Sequence, residues 1–378
     1  MNKLALYVHI PFCVQKCRYC DFYSMAGGGR EVFLAYKDAL KRHFAAASVD
    51  AAGYLVDSVY FGGGTPSLLP AEILCELMQS IRTHFHLTDD CEITLEMNPR
   101  TSDEAAMKKY LEAGFNRLSI GCQSADDNEL RLLGRIHSFQ DFCKTVEDAR
   151  AAGFANISAD LMMALPGQTE ESLLRSIDRI AALEPNHISV YGLKIEKGTW
   201  FDHHKDELVL HDEDSESSLY LTTVARLQKH GYFQYEISNF SKKGFESRHN
   251  LKYWNAMPYL GFGPAAYSYF EGYRYGYKRD FNEYLKATQT LDFGSLKQDE
   301  EFLTEKDVQE EKLLLGLRLN KGVVLSDFSF HNSVDKYIET LCVNEFAKYA
   351  KGRLSLSPKG MLLDNLITSE LLLHLIDE

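Results

Sequence analysis

Basic residues are in short supply in this chain. Its 41 lysines and arginines face 54 aspartates and glutamates, for a formal net charge of −13 over 378 residues. Such a surface lacks the charge that a nucleic-acid backbone or an anionic lipid surface would attract. No hydrophobic run reaches membrane-spanning length, and no signal-peptide pattern or solenoid-type repeat is visible. The eight cysteines therefore predict thiols in a reducing cytoplasm rather than a disulfide framework. Five of them (Cys75, Cys91, Cys122, Cys143 and Cys342) are scattered and read as core or near-surface thiols.

The other three are not scattered. Cys13, Cys17 and Cys20 stand at spacings of four and three residues in Tyr7-Val8-His9-Ile10-Pro11-Phe12-Cys13-Val14-Gln15-Lys16-Cys17-Arg18-Tyr19-Cys20-Asp21-Phe22. No fourth ligand stands nearby, which argues against a structural zinc site. Three thiolates can instead anchor three irons of a cubane and leave the fourth open to a small molecule.

Strands are predicted over residues 4–10, 56–61, 92–97, 117–121, 156–163 and 187–192. Helices are predicted between them over 31–47, 71–85, 104–113, 128–133, 139–152 and 170–183. Strands alternating with helices imply parallel βαβ units. Six units predict an α/β fold built on a partial (β/α)6 TIM-like barrel. A small, mostly helical, winged-helix-like domain is expected at the C-terminus. The expected division is 1–205 for the barrel, 206–290 for a barrel extension and 291–378 for the small domain.

Polar residues recur where a barrel carries its chemistry, at the C-terminal ends of strands. Gly62-Gly63-Gly64-Thr65-Pro66 follows the second strand, Glu96 ends the third, Gln123 follows the fourth and Asp160 lies on the fifth. Each alone could be a turn or cap residue, but their recurrence at consecutive strand ends predicts one shared site. The glycines allow backbone to approach a ligand closely.

These motifs carry a resemblance. The Cys13-x3-Cys17-x2-Cys20 loop, with Tyr19 before the last cysteine, resembles that of the radical SAM superfamily. Adding Gly63-Gly64-Thr65-Pro66-Ser67, Gln123-Ser124, Leu133-Gly134-Arg135-x-His137 and Leu165-Pro166-Gly167-Gln168-Thr169, the chain resembles the oxygen-independent coproporphyrinogen III oxidase family over nearly its whole length. Within that family it is similar to the haem-chaperone branch. The resemblance implies a [4Fe-4S] cluster on the three cysteines. It also implies S-adenosylmethionine contacts from Tyr7, Gly64, Thr65, Pro66, Glu96, Gln123, Arg135 and Asp160. Their chemistry agrees: carboxylates suit a ribose diol and a cation, and a guanidinium suits a carboxylate. His9 is a candidate neighbour of the cluster. One departure stands out: the oxidase has a further cysteine two residues after the loop, where this chain has Phe22.

Beyond residue 200 the alternation fades. A long helix is predicted over 212–230, a capped helix over 304–318 from Thr304-x-x-Asp307, and a final apolar helix over 361–375. His203-His204 has no evident third ligand for a metal. The segment His249-Asn250-x-x-Tyr253-Trp254 resembles the chaperone branch's proposed haem-binding segment. There His249 would ligate iron while Tyr253 and Trp254 pack the macrocycle, at the open side or mouth of the barrel. The alternative is a structural strand whose aromatics fill the barrel mouth. Tyr267, where many relatives are expected to carry histidine, is a second candidate iron ligand.

Two readings follow. In the first, the chain is a haem chaperone. Its implied partners are haem, an acceptor protein such as a respiratory enzyme, an electron donor such as flavodoxin or ferredoxin, and a second copy in a homodimer. In the second it is a radical enzyme that decarboxylates porphyrinogen propionates, with chemistry supplied by the cofactor.

Overall fold

A computed structural model describes residues 2–331 and 333–376. Six parallel strands form the centre: β1 Asn2–Ile10, β2 Tyr54–Gly63, β3 Leu87–Met97, β4 Arg117–Gln123, β5 Ile157–Met163 and β6 His187–Gly192. Each pairs with the next in order. Helices Arg30–Asp50, Ala71–His84, Glu104–Ala113, Phe139–Ala152 and Glu170–Ala181 lie between them in sequence. This is the expected partial barrel, with strand and helix ends differing by a few residues.

The alternation within each strand explains the two faces. On β4, Leu118, Ile120 and Cys122 join the apolar core under the helices, while Arg117, Ser119 and Gly121 take the other phase. The same phase carries Ser58 and Tyr60 on β2, Glu92, Thr94 and Glu96 on β3, and Ser158 and Asp160 on β5. The interior is therefore polar and the outer layer apolar. Burying one Leu or Ile side chain there contributes about 1.5–3 kcal/mol.

Both edges of this set are extended. Tyr259–Phe262 adds a further parallel strand beside β1, and Tyr267–Phe270, Tyr273–Tyr277 and Lys297–Phe302 continue antiparallel. At the other edge Asn239–Ser241 and Phe233–Glu236 pair antiparallel beyond β6. The result is one twelve-stranded sheet whose flanking strands come from residues 233–302.

A small unit follows. Helix Glu305–Leu317 starts at a reciprocal Thr304–Asp307 cap, as its sequence predicts. Helices Val334–Val343 and Asp364–Leu372 surround a three-stranded antiparallel sheet, the winged-helix-like arrangement expected. The last helix is shorter than predicted, because the short helix Pro358–Met361 is separate from it. Asn320 N–H donates to the Tyr235 carbonyl at 3.0 Å, and the Arg318 guanidinium lies 5.7 Å from the Trp254 ring, so this unit packs on the barrel. Among the described residues no helix is long and apolar enough to cross a membrane.

Candidate cofactor site

The cysteine loop leaves β1 at Pro11 and is held at several points. Phe12 is buried, with its ring 4.8 Å from Phe33 and 5.4 Å from Tyr36. Phe12–Cys13 pairs with Met25–Ala26. Further along, Arg18 N–H donates to the Leu133 carbonyl at 3.0 Å, and its guanidinium lies 4.3 Å over the Trp200 ring. All three cysteines are half-buried free thiols lining one cavity of about 600 Å³. Burial pushes the Cys13 thiol up, and that of Cys20 to about 11.

The glycine run after β2 forms the next wall. Gly64 N–H donates to Ile10 O at 2.8 Å and Thr65 N–H to Phe12 O at 2.7 Å, which sews this turn to the loop. A Cβ on Gly64 would lie 2.7 Å from Phe12 O, so only glycine permits the approach. Pro66 begins a short 3₁₀ turn, Pro66–Leu68, at the cavity wall.

Two carboxylates face the cavity. Glu96 accepts from Tyr60 Oη at 2.7 Å and from Gly63 N–H at 3.2 Å. Asp160 accepts from Ser119 Oγ at 3.1 Å. Burial raises the pKa of both, and with Asp160 nearby it takes Glu96 to about 7. Such groups favour a cationic ligand, whose charge would return them to the ionised state.

Arg135 lines the same cavity, with its Nε buried. Its Nη2 donates to Asn98 Oδ1 at 2.6 Å and to Gly121 O at 2.8 Å, while Nη1 is 3.6 Å from Cys17 Sγ. Gln123 ends β4 at a register shift with φ +68°, a conformation unusual outside glycine. Behind it Glu129 accepts from Ser124 Oγ at 2.5 Å, Gln168 Nε2 at 3.0 Å and Ser172 Oγ at 2.8 Å. The Gln123-Ser124 and Leu165-to-Thr169 stretches are thus tied together by a buried carboxylate.

The donor set fits the implied groups. Among the described residues no three side chains converge as a single metal ion requires. A cubane offers each thiolate its own iron, so the cysteines need no common focus. The buried Arg135 Nε has no protein partner, and the carboxylates supply acceptors for a cation.

The structure thus brings together Cys13, Cys17, Cys20, Gly64, Thr65, Pro66, Glu96, Gln123, Arg135 and Asp160. Tyr7 is one strand away: its ring stacks on Tyr60 at 6.3 Å and its hydroxyl bonds His9 Nδ1 at 3.0 Å, lining a neighbouring cleft. His9 also bonds the Tyr23 carbonyl at 2.8 Å and lines that cleft, not the cofactor cavity. Residues that sequence reading missed include Tyr60, Asn98, Ser119 and Tyr191. Their signal was strand phase: Tyr60 stands in register with Thr94, Ser119 beside Glu96, and Asn98 two residues after Glu96.

Residues 7–180 match the Radical SAM superfamily model. Over 377 residues the chain is 34% identical to "Heme chaperone HemW" of Lactococcus lactis, covering 98% of this chain and 97% of that protein. It is 35% identical over 370 residues to the Bacillus subtilis protein of the same name, covering 96% and 97%. The chain belongs to the HemW family of radical SAM proteins. It is also 34% identical over 340 residues to the mitochondrial "Radical S-adenosyl methionine domain-containing protein 1" of Bos taurus, covering 85% of this chain and 74% of that one. In fold it is similar to coproporphyrinogen III oxidase (HemN) from Escherichia coli. That match has a TM-score of 0.83 and 23% identity, and covers 97% of this chain and 89% of that one.

For a HemW-like chain the placement of His249 corrects an expectation. His249 lies on a helix, Arg248–Trp254, rather than on a strand, and at the barrel floor rather than its mouth. Glu92 accepts from the Arg248 and His249 backbone N–H groups at 3.2 and 3.0 Å, so the helix starts against the interior of β3. The His249 ring is 1% exposed, bonded through Nδ1 to Ser58 Oγ at 3.1 Å and through Nε2 to Tyr253 Oη at 2.8 Å. Both ring nitrogens are engaged by hydroxyls. Burial, followed by the Lys252 charge, lowers its pKa to about 3. Trp254 turns toward Arg318, and Tyr253 lines a cleft.

Proposed function

We propose that this protein is a haem chaperone, which binds haem and hands it to an acceptor protein in the cytoplasm. The single observation that carries this reading is its 34–35% identity, over nearly the full length of both chains, to proteins named haem chaperones. Phe22 agrees with it. Its ring is 65% exposed at the edge of the cofactor cavity, where the oxidase pattern calls for a cysteine. A phenyl ring neither donates nor accepts a proton, so the chain lacks that acid–base group.

In this reading Cys13, Cys17 and Cys20 hold the [4Fe-4S] cluster. Glu96, Gln123, Arg135 and Asp160 hold S-adenosylmethionine, with Gly64, Thr65 and Pro66 as backbone wall and Tyr7 in support through Tyr60. When bound, cluster and S-adenosylmethionine together supply one-electron chemistry. The chain's own part is to bind and orient: Arg135 presents a buried cation, and Glu96 and Asp160 present acceptors that ionise against a positive ligand. Electron supply by flavodoxin or ferredoxin, a respiratory enzyme as acceptor, and a homodimer are parts of the same proposal.

A second reading is favoured by the intact cofactor cavity: a radical enzyme acting on porphyrinogen propionates. The two separate in one experiment. Reconstituted protein is incubated anaerobically with dithionite, S-adenosylmethionine and either haem or coproporphyrinogen III. Stoichiometric haem uptake, with release to an apo-acceptor and no decarboxylated product, is expected; protoporphyrinogen formation would establish the oxidase.

A further inference from the structure

Beside the cofactor cavity lies a second cleft of about 390 Å³, lined by Tyr7 and His9 at its base. Its wall is aromatic: Phe22, Tyr23, Tyr253, Tyr259 and Tyr267, with Arg279 as its cation. The Tyr253 and Tyr259 rings meet edge to face at 4.7 Å. Tyr267 is 44% exposed, and its hydroxyl donates to Asp299 at 3.3 Å. The cleft shares Asp21 and Phe22 with the cofactor cavity.

This cleft is tied in place. Arg279 Nη2 donates to the Asp21 carbonyl at 2.6 Å, and Phe281 N–H donates to Tyr23 Oη at 2.9 Å. The stretch after Cys20 and the start of helix Phe281–Thr290 are thereby joined along one side. The Arg279 guanidinium stands 3.7 Å from the Asp21 carboxylate, outside hydrogen-bond range, and is half-exposed. A five-donor fork of this kind retains donors for an incoming carboxylate.

Resting on the haem reading above, we propose that this cleft seats one edge of the haem, its tyrosine wall against the macrocycle and Arg279 paired with a propionate. The chemistry required is an aromatic surface for the macrocycle, met by the tyrosine and phenylalanine rings, and a cation at the rim, met by Arg279. The cleft's volume holds part of a tetrapyrrole and leaves the rest exposed, as suits a molecule that must be handed on.

The test compares hemin with hemin dimethyl ester, whose masked propionates cannot pair with a guanidinium. Binding to the reconstituted full chain is followed by Soret titration, with dichroism and cluster content as controls on folding. Arg279→Gln is expected to weaken hemin binding by about tenfold or more while changing ester binding less than about twofold, and Arg279→Lys should recover part of the loss. Saturable binding of hemin by the wild type with equal affinity in Arg279→Gln would overturn this site and leave the haem reading standing. Equal loss for hemin and ester would overturn the propionate pairing. Absence of saturable hemin binding in the wild type would overturn the haem reading itself.

Discussion

Arg135 Nη2 donates to Asn98 Oδ1 at 2.6 Å, and Asn98 Nδ2 donates to Thr65 Oγ1 at 2.9 Å. One asparagine side chain thereby fixes both the buried cation and the threonine of the glycine turn. Asn98→Ala leaves a buried guanidinium short of an acceptor, at a cost of about 1.5–3 kcal/mol. Calorimetry with S-adenosylmethionine on the cluster-loaded protein should show affinity weakened by about tenfold or more; unchanged affinity would show that Arg135 does not need this partner.

Replacing Cys13, Cys17 and Cys20 together with alanine should abolish cluster assembly, taking iron and sulfide from about four each per chain to near zero. Iron and sulfide analysis after anaerobic reconstitution is the measurement. The fold should survive, because β1 and Phe12 carry the packing of this region.

Glu129→Ala should be among the most destabilising single changes in the chain. It removes one buried carboxylate on which Ser124, Gln168 and Ser172 all converge, leaving Ser172 Oγ its bond to the Thr169 carbonyl and Ser124 Oγ its contact with Ser176 Oγ. A loss of about 3–5 kcal/mol is expected in urea melts. A loss below about 1 kcal/mol would mean that the two turns hold without it.

Burial holds the Glu96 carboxyl at about 7, against 4.5 for a free glutamate. The folded chain therefore keeps a proton between those values that the unfolded chain releases. Its contribution to stability is full below pH 4.5 and is lost as pH rises to 7. Glu96→Gln removes this loss, so in ligand-free protein the variant should gain on the wild type by up to about 3 kcal/mol between pH 5 and pH 8. Parallel urea melts at the two pH values read the difference, and a constant gap would contradict the buried, protonated carboxyl.

His249 titrates the other way. Its folded pKa of about 3 lies below the unfolded 6.5, so its contribution is present above pH 6.5 and declines as pH falls toward 3. His249→Ala should cost about 2–4 kcal/mol at pH 7, through the lost bonds to Ser58 and Tyr253. Hemin stoichiometry and Soret position should not change. A shifted Soret band in a folded variant would return His249 to the haem.

The barrel was legible in the sequence because its signals are local. Each parallel strand is a short apolar run flanked by a helix of period 3.6, and the polar residues at strand ends recur in order. The cysteine loop was legible for the same reason. Two things were not. The strands that extend the sheet at both edges come from residues 233–302, and no local pattern says which distant edge a strand joins. The position of His249 was the other, because His-Asn-x-x-Tyr-Trp shows the same residues whether its helix stands at the mouth of the barrel or on its floor. Only the contact across 191 residues distinguishes them. Tyr60 and Asn98 were missed although strand phase aims them at the site, because phase was read for burial and not for function.

Phe22 belongs to two chambers at once. Its phenyl ring lines both, so under the proposed haem site a ligand that moves the ring from one side would alter affinity on the other. The thermodynamic consequence is reciprocity: whatever factor S-adenosylmethionine imposes on haem affinity through this ring, haem imposes on S-adenosylmethionine affinity. In Phe22→Ala both factors should approach one together, and a coupling that disappears in one direction only would be inconsistent with equilibrium.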